Sequence, residues 1–426
     1  VHEDRKFIRK RYTIDEAIDH FTRDGQLDKV ELLKWRQFTY FDAYHIDGYE
    51  DYIDYFYGET VPSTGYVSVC GFERSLDGIM LMLPSEDDPD KAAKHIPYPR
   101  LQQALTECDE WGELLECSNV SDLNRLTENG KLRELIRINE ALHEKHFADI
   151  ADQIIDRDAK IVLIAGPSSS GKTTSANRLC TQLRVHGKQP ILISLDDYYI
   201  DRDKLTPDEN GEYDLEHINT IDSEQFKKDL TDILDGKRVC LPRFSFPLQK
   251  RVESDRFVQL TDKTIFVIEG IHGLNPSLIP QDIDKSRLFK IYVSALITLN
   301  LDHHNRIATT YLRILRRMVR DHRTRGTSVE KTMAMWQSIR RGEKRWIFPY
   351  QEGSDVMINS STVYELAVLK KHIFPLLLDV PENDINYDSI RSIVKFLNYV
   401  LEADVDPEIP PTSIVREFIG GNTFYE

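Results

Sequence analysis

A glycine-rich turn near the middle of the chain has the spacing of a loop that cradles nucleotide phosphates. Residues 161–174 read IVLIAGPSSSGKTT, so G-x-x-x-x-G-K-[ST] follows an apolar, strand-like run and precedes a helix-compatible segment, 174–185. Successive N–H groups of such a loop, together with the helix N-terminus, point at phosphate oxygens. We expect Lys172 to reach the β- and γ-phosphates and Thr173 to hold Mg²⁺. The residues predicted to contact the nucleotide are Gly166, Ser168, Ser169, Ser170, Gly171, Lys172, Thr173 and Thr174.

Two acidic residues follow apolar segments further along the chain. Asp196 lies in SLDDYY, directly after the strand-like segment 191–194, and Glu269 closes TIFVIE. A carboxylate beside a phosphate loop can take the proton of an acceptor hydroxyl, which is the role predicted for Asp196. Glu269 is predicted to organise Mg²⁺ directly or through water. Each residue has an alternative that stays open, a solvated turn or helix cap for Asp196 and a cap before Gly270 for Glu269.

A basic island lies in this otherwise acidic chain. Residues 306–325 contain seven arginines and one acid, Asp321. Arg317 and Arg320 are three residues apart and share one face of a helix. Planar guanidinium groups suit the charge that spreads over a transferring phosphoryl group. A solvated basic helix face and an RNA-backbone contact stay open as alternatives.

The elements that must position these residues alternate between short apolar runs and helical patterns. This rhythm predicts an α/β fold, a doubly wound parallel sheet with helices on both faces and ligands at the carboxyl ends of its strands. The predicted strands are 161–164, 191–194, 264–268, 288–293 and 356–358.

Other segments carry local signals. TIDE at Thr13 is a capping box that predicts a helix over 13–21, and the alternation over 66–70 is typical of a strand. The polar segment 84–99, PSEDDPDKAAKHIPYP, is predicted to be a linker or surface loop. Helical spacing predicts a long connecting helix within 129–155 and a further helix over 387–402.

Composition narrows the class of protein. The 426 residues carry a net charge of −16, which argues against general nucleic-acid binding, although tRNA stays open as a partner. The five dispersed cysteines form no C-x-x-C pair, and the opening VHEDRKFIRKRY has no apolar signal core. No apolar run is long enough to cross a bilayer. We therefore expect a cytoplasmic protein without membrane contact, and, because the first residue is not methionine, further sequence upstream of Val1.

With these pieces in order, about residues 158–380 resemble the uridine kinase and phosphoribulokinase family of phosphate-loop kinases. The resemblance implies that Asp196 is the catalytic base, that Glu269 organises Mg²⁺, and that Lys172, Arg317 and Arg320 act in catalysis. Arg325, in the loop after the arginine lid, is implied to contact the nucleotide. The matching segments are GPSSSGKTT, SLDDYY, GEYDLEHINTID, LPRFSF, VIEG and RRMVRDHRTRG.

The same resemblance implies where the acceptor binds, and there the chain departs from the family. Glu216 stands where uridine-cytidine kinases have the Asp that holds the ribose hydroxyls, and the shared His217 follows it. The family's pyrimidine-recognising Tyr and His fall at Phe244 and Gln249, and its downstream Gln falls near Met335. We expect a relaxed nucleobase preference or another acceptor. The residues predicted to bind the acceptor are Asp196, Tyr199, Glu216, His217, Phe244 and Gln249.

The N-terminal segment 54–65, DYFYGETVPSTG, is similar to the editing-type domain of threonyl-tRNA synthetases. The Cys and His of that family's editing site are replaced by Phe56 and Thr60, so hydrolytic editing is predicted to be lost. The predicted division of the chain is an N-terminal α+β domain over 1–95, a helical connector over 96–157, a phosphate-loop kinase domain over 158–380, and a helical C-terminal extension and tail over 381–426.

These interpretations favour one activity and leave others open. The leading hypothesis is transfer of the γ-phosphate of ATP, with Mg²⁺, to the 5′-hydroxyl of a nucleoside. One alternative is the same chemistry on a sugar, a sugar phosphate or a pantothenate-like acceptor. The other is a regulatory ATP-binding protein that senses tRNA or an amino acid. A homo-oligomer stays open.

Overall fold

A three-stranded antiparallel sheet and two helices begin the chain. The computed structural model describes residues 1–36, 38–55, 60–75, 78–85, 88–205, 214, 216–280 and 282–425. The side chain of Thr13 accepts a hydrogen bond from the N–H of Glu16, and the Glu16 carboxylate accepts one from the N–H of Thr13, so the predicted capping box starts the first helix. The elements of this part are β1 (Phe7–Thr13), α1 (Ile14–Arg23), α2 (Leu27–Leu33), β2 (Tyr40–Ile46) and β3 (Tyr49–Asp54), with sheet order β1-β2-β3.

Two antiparallel ribbons follow, and here two local predictions were wrong. Residues 64–67 form a 3-10 helix rather than the start of a strand, because the side chain of Thr64 and the N–H of Gly65 are tied to Arg5 and Asp4. The polar segment after residue 84 is at the surface as expected, but part of it pairs as a ribbon instead of remaining a loop. The ribbon strands are β4 (Gly71–Ser75), β5 (Gly78–Met82), β6 (Pro84–Ser85) and β7 (Asp88–Ala92).

Three helices then lead into the main sheet. The longest of them is the predicted connecting helix, and its buried residues recur at helical spacing, among them Ile136, Phe147, Ile150 and Ile154. No helix of the described residues is both long and apolar enough to cross a membrane. The helices are α3 (Pro99–Leu114), α4 (Val120–Glu128) and α5 (Leu132–Asp156).

A five-stranded, entirely parallel sheet forms the centre of the molecule, as predicted. The elements after α5 are β8 (Ile161–Ala165), α6 (Lys172–Val185), β9 (Gln189–Ser194), α7 (Ser223–Leu234), β10 (Val239–Cys240), β11 (Arg243–Ser245), β12 (Lys250–Val252), β13 (Phe257–Val258), β14 (Thr264–Glu269), β15 (Leu288–Ser294), β16 (Asn300–Asp302), β17 (Asn305–Arg306), α8 (Thr309–Arg325), α9 (Val329–Trp346), β18 (Val356–Asn359), α10 (Glu365–Leu378), α11 (Tyr387–Leu397) and α12 (Arg416–Ile419). The strand order of the parallel sheet is β18-β15-β8-β14-β9, so β8, which comes first along the chain, lies in the middle and the later strands are added on both sides of it.

The strands of this sheet are buried on both faces, which is why they read as continuous apolar runs. Side chains alternate between the faces: Val162 and Ile164 of β8 join one core cluster, and Ile161 and Leu163 join the other. The first cluster includes residues of α5, α6 and α10, and the second includes residues of α3 and α7. Helices therefore cover both faces, and the carboxyl ends of the strands share one edge of the sheet.

Candidate active site

The phosphate loop, residues 166–173, connects the carboxyl end of β8 to the first turn of α6. Gly171 caps α6 with φ +81°, a left-handed conformation that a glycine adopts without strain. Ser169 is also left-handed, with φ +59°. This backbone turns the loop back over the helix N-terminus, where N–H groups lack intrahelical acceptors.

Two arginines of the basic island hold this loop in place. Arg313 Nε donates to the carbonyl of Ser168 over 3.0 Å, and Arg316 Nη1 donates to the carbonyl of Ser169 over 3.3 Å. Both guanidinium groups are fully buried and paired with carboxylates, Arg313 with Glu343 and Arg316 with Glu365. For these two arginines, the interpretation as a solvated basic face was wrong, because buried carboxylates on α9 and α10 neutralise them.

The loop has the donors that a polyphosphate requires. The hydroxyls of Ser169 and Ser170 are buried and have no hydrogen-bond partner among the described residues, whereas buried polar groups in proteins are normally paired. Lys172 Nζ donates to the carbonyl of Pro167 over 3.1 Å, so its ammonium group lies on the loop itself. Asn177 Nδ2 donates to the carbonyl of Thr173 over 2.9 Å. These residues fit a bound nucleotide.

Two carboxylates lie at neighbouring strand ends beside the loop. Glu269 ends β14 and pairs in register with Ser194 of β9, whose hydroxyl donates to Glu269 Oε1 over 2.9 Å. Asp196 follows two residues later, and its N–H donates to the same Ser194 hydroxyl over 3.3 Å. Burial raises the pKa of both carboxyl groups, and their mutual repulsion adds to the rise for Glu269, while Lys172 lowers the pKa of each.

Three further arginines of the basic island, which we call the arginine lid, form ion pairs with the same acid. Asp321, on α8 and 1% exposed, forms ion pairs with Arg317, Arg320 and Arg325 at 3.3, 2.9 and 3.3 Å. Arg317 Nη1 also donates to the hydroxyl of Ser168 over 2.7 Å, which brings the lid to the phosphate loop. Burial lowers the pKa of Arg317. The three guanidinium groups predicted to act on phosphate therefore share a single anchor.

Glu216 and His217 form a further part of the candidate site, and Glu216 lies close enough to Arg317 and Lys172 for both to lower its pKa. Glu216 Oε2 is buried without a partner among the described residues, and its Cβ packs against Gly342 of α9. Burial, reinforced by Glu343, raises the pKa of Glu216 to about 7. His217 Nδ1 accepts from the N–H of Asn219, and its ring meets Trp346 edge-on at 4.4 Å. The buried Oε2 of Glu216 can therefore accept a hydrogen bond from a hydroxyl group of a substrate.

A cavity of 160 Å³ lined by aromatic rings is connected to these groups through Tyr199, whose phenol lies near Asp196 and Glu216. The rings of Tyr199, Phe244 and Phe246 pack with centroids 5.4 to 6.1 Å apart. Gln249 lines the same cavity, and its backbone is left-handed, with φ +53°. Met335 lies on α9 with 36% exposure and is not among the residues that line the cavity.

The structure also brings in residues that sequence reasoning missed. Asp321 was noted only as the single acid of the basic island, and one acid among seven arginines was the signal that it pairs with some of them. His272, three residues after Glu269, is 1% exposed and lies beside the backbone of Glu216; no spacing rule pointed to it. In the N-terminal segment, Phe56 lies outside the described residues and Thr60 is partly buried.

Comparison with known proteins agrees with this arrangement. The phosphoribulokinase/uridine kinase family matches residues 161–367. A uridine kinase of Staphylococcus aureus (strain JH9) is 30% identical over 209 residues, which cover 49% of this chain and 91% of that protein. The family match over residues 161–367 includes the phosphate loop, Asp196, Glu269 and the arginines of α8.

Solved structures also match. One is a protein from Silicibacter sp. TM1040, provisionally assigned as a fructose transport system kinase, with 17% identity, 50% of this chain and 98% of that chain covered, and a TM-score of 0.38. Another is a D-glycerate 3-kinase from Cryptococcus neoformans var. grubii, with 17% identity, coverage of 65% and 87%, and a TM-score of 0.27. Scores this low support no argument. The sequence match over nearly the whole length of a curated kinase does, and this chain belongs to the phosphoribulokinase/uridine kinase family.

Proposed function

We propose that this protein transfers the γ-phosphate of ATP to the 5′-hydroxyl of a nucleoside. The observation that carries the proposal is the aromatic cavity beside the catalytic carboxylates. Tyr199 connects the cavity to the carboxylates. Its ring packs in the cavity. Burial raises the pKa of its phenol, and Asp196 and Glu216 lie close enough to raise that pKa further. A planar base fits among aromatic rings, which stack on it.

The phosphate loop and two oxygen ligands would hold the nucleotide and its metal. Mg²⁺·ATP supplies the phosphoryl group together with a cation that neutralises its oxygens. Lys172 and the N-terminal turn of α6 would bind the phosphates, and the Thr173 hydroxyl and Glu269 would hold the metal. No cluster of three or more His, Cys, Asp or Glu side chains arranged for a metal occurs in the described part of the chain.

Asp196 is the proposed proton acceptor. It follows the strand end next to the phosphate loop and is paired with no cation at hydrogen-bond distance among the described contacts. Burial raises the pKa of Asp196, and a carboxylate with a raised pKa is a stronger general base. The acceptor hydroxyl would donate to Asp196 as its oxygen attacks, and Arg317 and Arg320 would bind the oxygens that carry the developing charge.

The groups around the aromatic cavity support a nucleoside as the acceptor. Asp196 and Glu216 lie near Tyr199, and Arg202 lines the cavity, so charges of both signs are present there. Glu216, with its unpartnered oxygen, is placed to accept from ribose hydroxyls. Phe244 offers no hydrogen bond to a base edge, which supports a relaxed nucleobase preference.

The test is a screen of ATP consumption with uridine, cytidine, adenosine, guanosine, inosine, free sugars and sugar phosphates at equal concentration. The proposal expects turnover with nucleosides, and a spread among the bases well below the roughly 10³-fold that hydrogen-bond readout delivers. Turnover confined to sugars or sugar phosphates would refute the nucleoside assignment. A uridine or cytidine preference above that scale would show that other residues read the pyrimidine.

A further inference from the structure

A C-terminal arm, residues 406–425, lies against the phosphate loop, although it is outside the region matched by the family. Phe418 of its helix α12 and Ile414, two residues before the helix, are both fully buried and anchor the arm in the core. Ile414 Cγ2 lies 2.6 Å from where a Cβ on Gly171 would be, and the Phe418 ring lies under the Arg316 guanidinium at 4.8 Å. The arm is therefore part of the wall of the nucleotide site.

Glu417 projects from this anchored helix onto the first turn of α6. Its Oε2 accepts from the hydroxyl of Thr174 over 2.7 Å and from the N–H of Thr174 over 3.4 Å. Thr174 is the third residue of α6, so this N–H is one of the four that have no acceptor within the helix. Backbone N–H groups at this end of a phosphate loop cradle nucleotide phosphates. Glu417 thus uses donors that a phosphate requires.

The end of the arm closes over the same threonine. Tyr425 Oη lies 2.9 Å from the Thr174 hydroxyl, and Asn422 Nδ2 donates to Tyr425 Oη over 3.4 Å. Thr174 is 0% exposed as a result. Between the anchor and this closure lie Gly420 and Gly421, with φ +96° and +75°. Glu417 precedes this glycine pair, so its carboxylate can leave Thr174 only by a rotation of its side chain, whereas residues 422–425 follow the two glycines.

Charge makes joint occupancy by Glu417 and a nucleotide unfavourable. An incoming polyphosphate would meet the Glu417 carboxylate at the donors of α6, with Glu269 and Asp196 nearby. Like charges that share one set of donors repel strongly where water is excluded. Only one of the two anions can use the N–H and hydroxyl of Thr174.

We propose that Glu417 is a gate on nucleotide entry: in the free protein its carboxylate closes the first turn of α6, and ATP binds only after Glu417 has left Thr174. This proposal depends on the proposed function, because it requires the phosphate loop to bind a nucleotide. Truncation of the arm is a poor test, because Ile414, Val415 and Phe418 belong to the core. Point variants of the full chain keep that core intact.

The first measurement is the dissociation constant for ATP with Mg²⁺, by titration calorimetry, for the wild-type protein, Glu417→Gln and Glu408→Gln. Removal of the competing charge raises the fraction of protein that is open, and we expect Glu417→Gln to bind ATP about tenfold more tightly. Glu408 is the matched control, because it lies on the same arm and pairs with Arg133 and Arg137 at 3.3 and 3.9 Å, away from the loop. Its variant should bind ATP within about twofold of wild type.

The second measurement is hydrogen exchange of the wild-type arm with and without ATP. The gate predicts faster exchange at residues 422–425 when ATP is bound, since the closure over Thr174 opens. Slower exchange there would overturn the gate and make the arm a positive part of the nucleotide site. Equal or weaker ATP binding by Glu417→Gln would also overturn it. Failure of all three proteins to bind ATP would instead refute the proposed function.

Discussion

Burial raises the pKa of three carboxyl groups at the site, and each of the three has different charged neighbours. Asp196 and Glu269 repel each other and are both offset by Lys172, while Glu216 is repelled by Glu343 and offset by Arg317. Pairs of carboxyl groups in different surroundings take different protonation roles. We therefore expect Asp196 to act in proton transfer and Glu216 in acceptor binding.

Asp196→Asn should lose most phosphoryl transfer while ATP binding stays unchanged. The amide keeps the shape but takes no proton, and a general base contributes roughly 10²–10⁴-fold. Because the ionised form is the active one and its pKa is raised, the wild-type rate should rise with pH through that raised pKa. Single-turnover kinetics and calorimetry check this. Asp197→Asn is the neighbouring control and should lose less than about tenfold; an equal loss would remove the assignment.

Glu216→Gln should stabilise the ligand-free protein at high pH only. Folding raises the pKa of Glu216 from 4.5 to about 7, so the proton on Glu216 stabilises the folded wild-type protein. This contribution to the free energy of unfolding is complete below pH 4.5 and is lost as the pH rises to about 7. Above that pH the variant should gain on the order of 2 kcal/mol in free energy of unfolding, and near pH 4.5 nothing. Urea unfolding across this range measures it. A pH-independent difference would show that the side chain is not held as a buried acid.

At the scale of elements, the arginine lid depends on its own helix for geometry. Asp321 pairs with three guanidinium groups, and two other arginines of α8 brace the phosphate loop instead. The prediction that Arg317 and Arg320 share a helix was correct, but Arg306 lies outside that helix, in β17, and Arg325 ends α8 instead of lying in the loop after it. Sequence reasoning could not divide the arginines, because their partners Glu343 and Glu365 lie on α9 and α10, which no local pattern connects to α8.

Asp321→Asn should disorganise the lid and lower kcat by about 10–100-fold, since small misplacements of charged groups at a reacting centre have effects of this size. The KM for ATP should change much less, because the phosphate loop keeps its own donors. Steady-state kinetics separate the two. Asp321→Glu restores the charge and should recover part of the rate, and a variant Asp321→Asn with wild-type kcat would show that the three arginines need no anchor.

The central sheet was predicted strand by strand, and the structure confirms all five strands within a few residues. Buried parallel strands are continuous apolar runs, so a local signal suffices. Local signals failed where partners are distant. The 3-10 turn at 64–67 depends on Asp4 and Arg5, and nothing in the tail showed that Glu417 reaches Thr174, 243 positions away.

At the scale of the whole molecule, the N-terminal sheet joins the kinase region through a buried charge cluster. Lys29 is 0% exposed and contacts Asp54 Oδ1 at 2.5 Å and His304 Nδ1 at 3.0 Å. Tyr55 also donates to Asp302 of β16. The domain boundaries at 95, 157 and 380 stay a prediction, and the synthetase-like assignment of 54–65 stays one as well.

Asp54→Asn should lower the free energy of unfolding by about 3 kcal/mol, because it leaves a buried ammonium group without its counter-charge. The control is Asp42→Asn, which breaks exposed pairs with Arg9 and Arg11 and should cost less than about 1 kcal/mol. Urea unfolding of both variants gives the comparison. Equal destabilisation would mean that the cluster does not hold the two regions together.

The most direct test of the central claim follows the phosphate itself. ATP labelled at the γ-phosphate is incubated with Mg²⁺, a nucleoside and either the wild-type protein or Lys172→Ala, and the label is located in the products. The wild-type protein should place the label on the nucleoside 5′-oxygen, and Lys172→Ala, without its cation at the phosphates, should be slower by about 10²–10³-fold. Label that appears only as inorganic phosphate, or transfer by Lys172→Ala at the wild-type rate, would contradict the account.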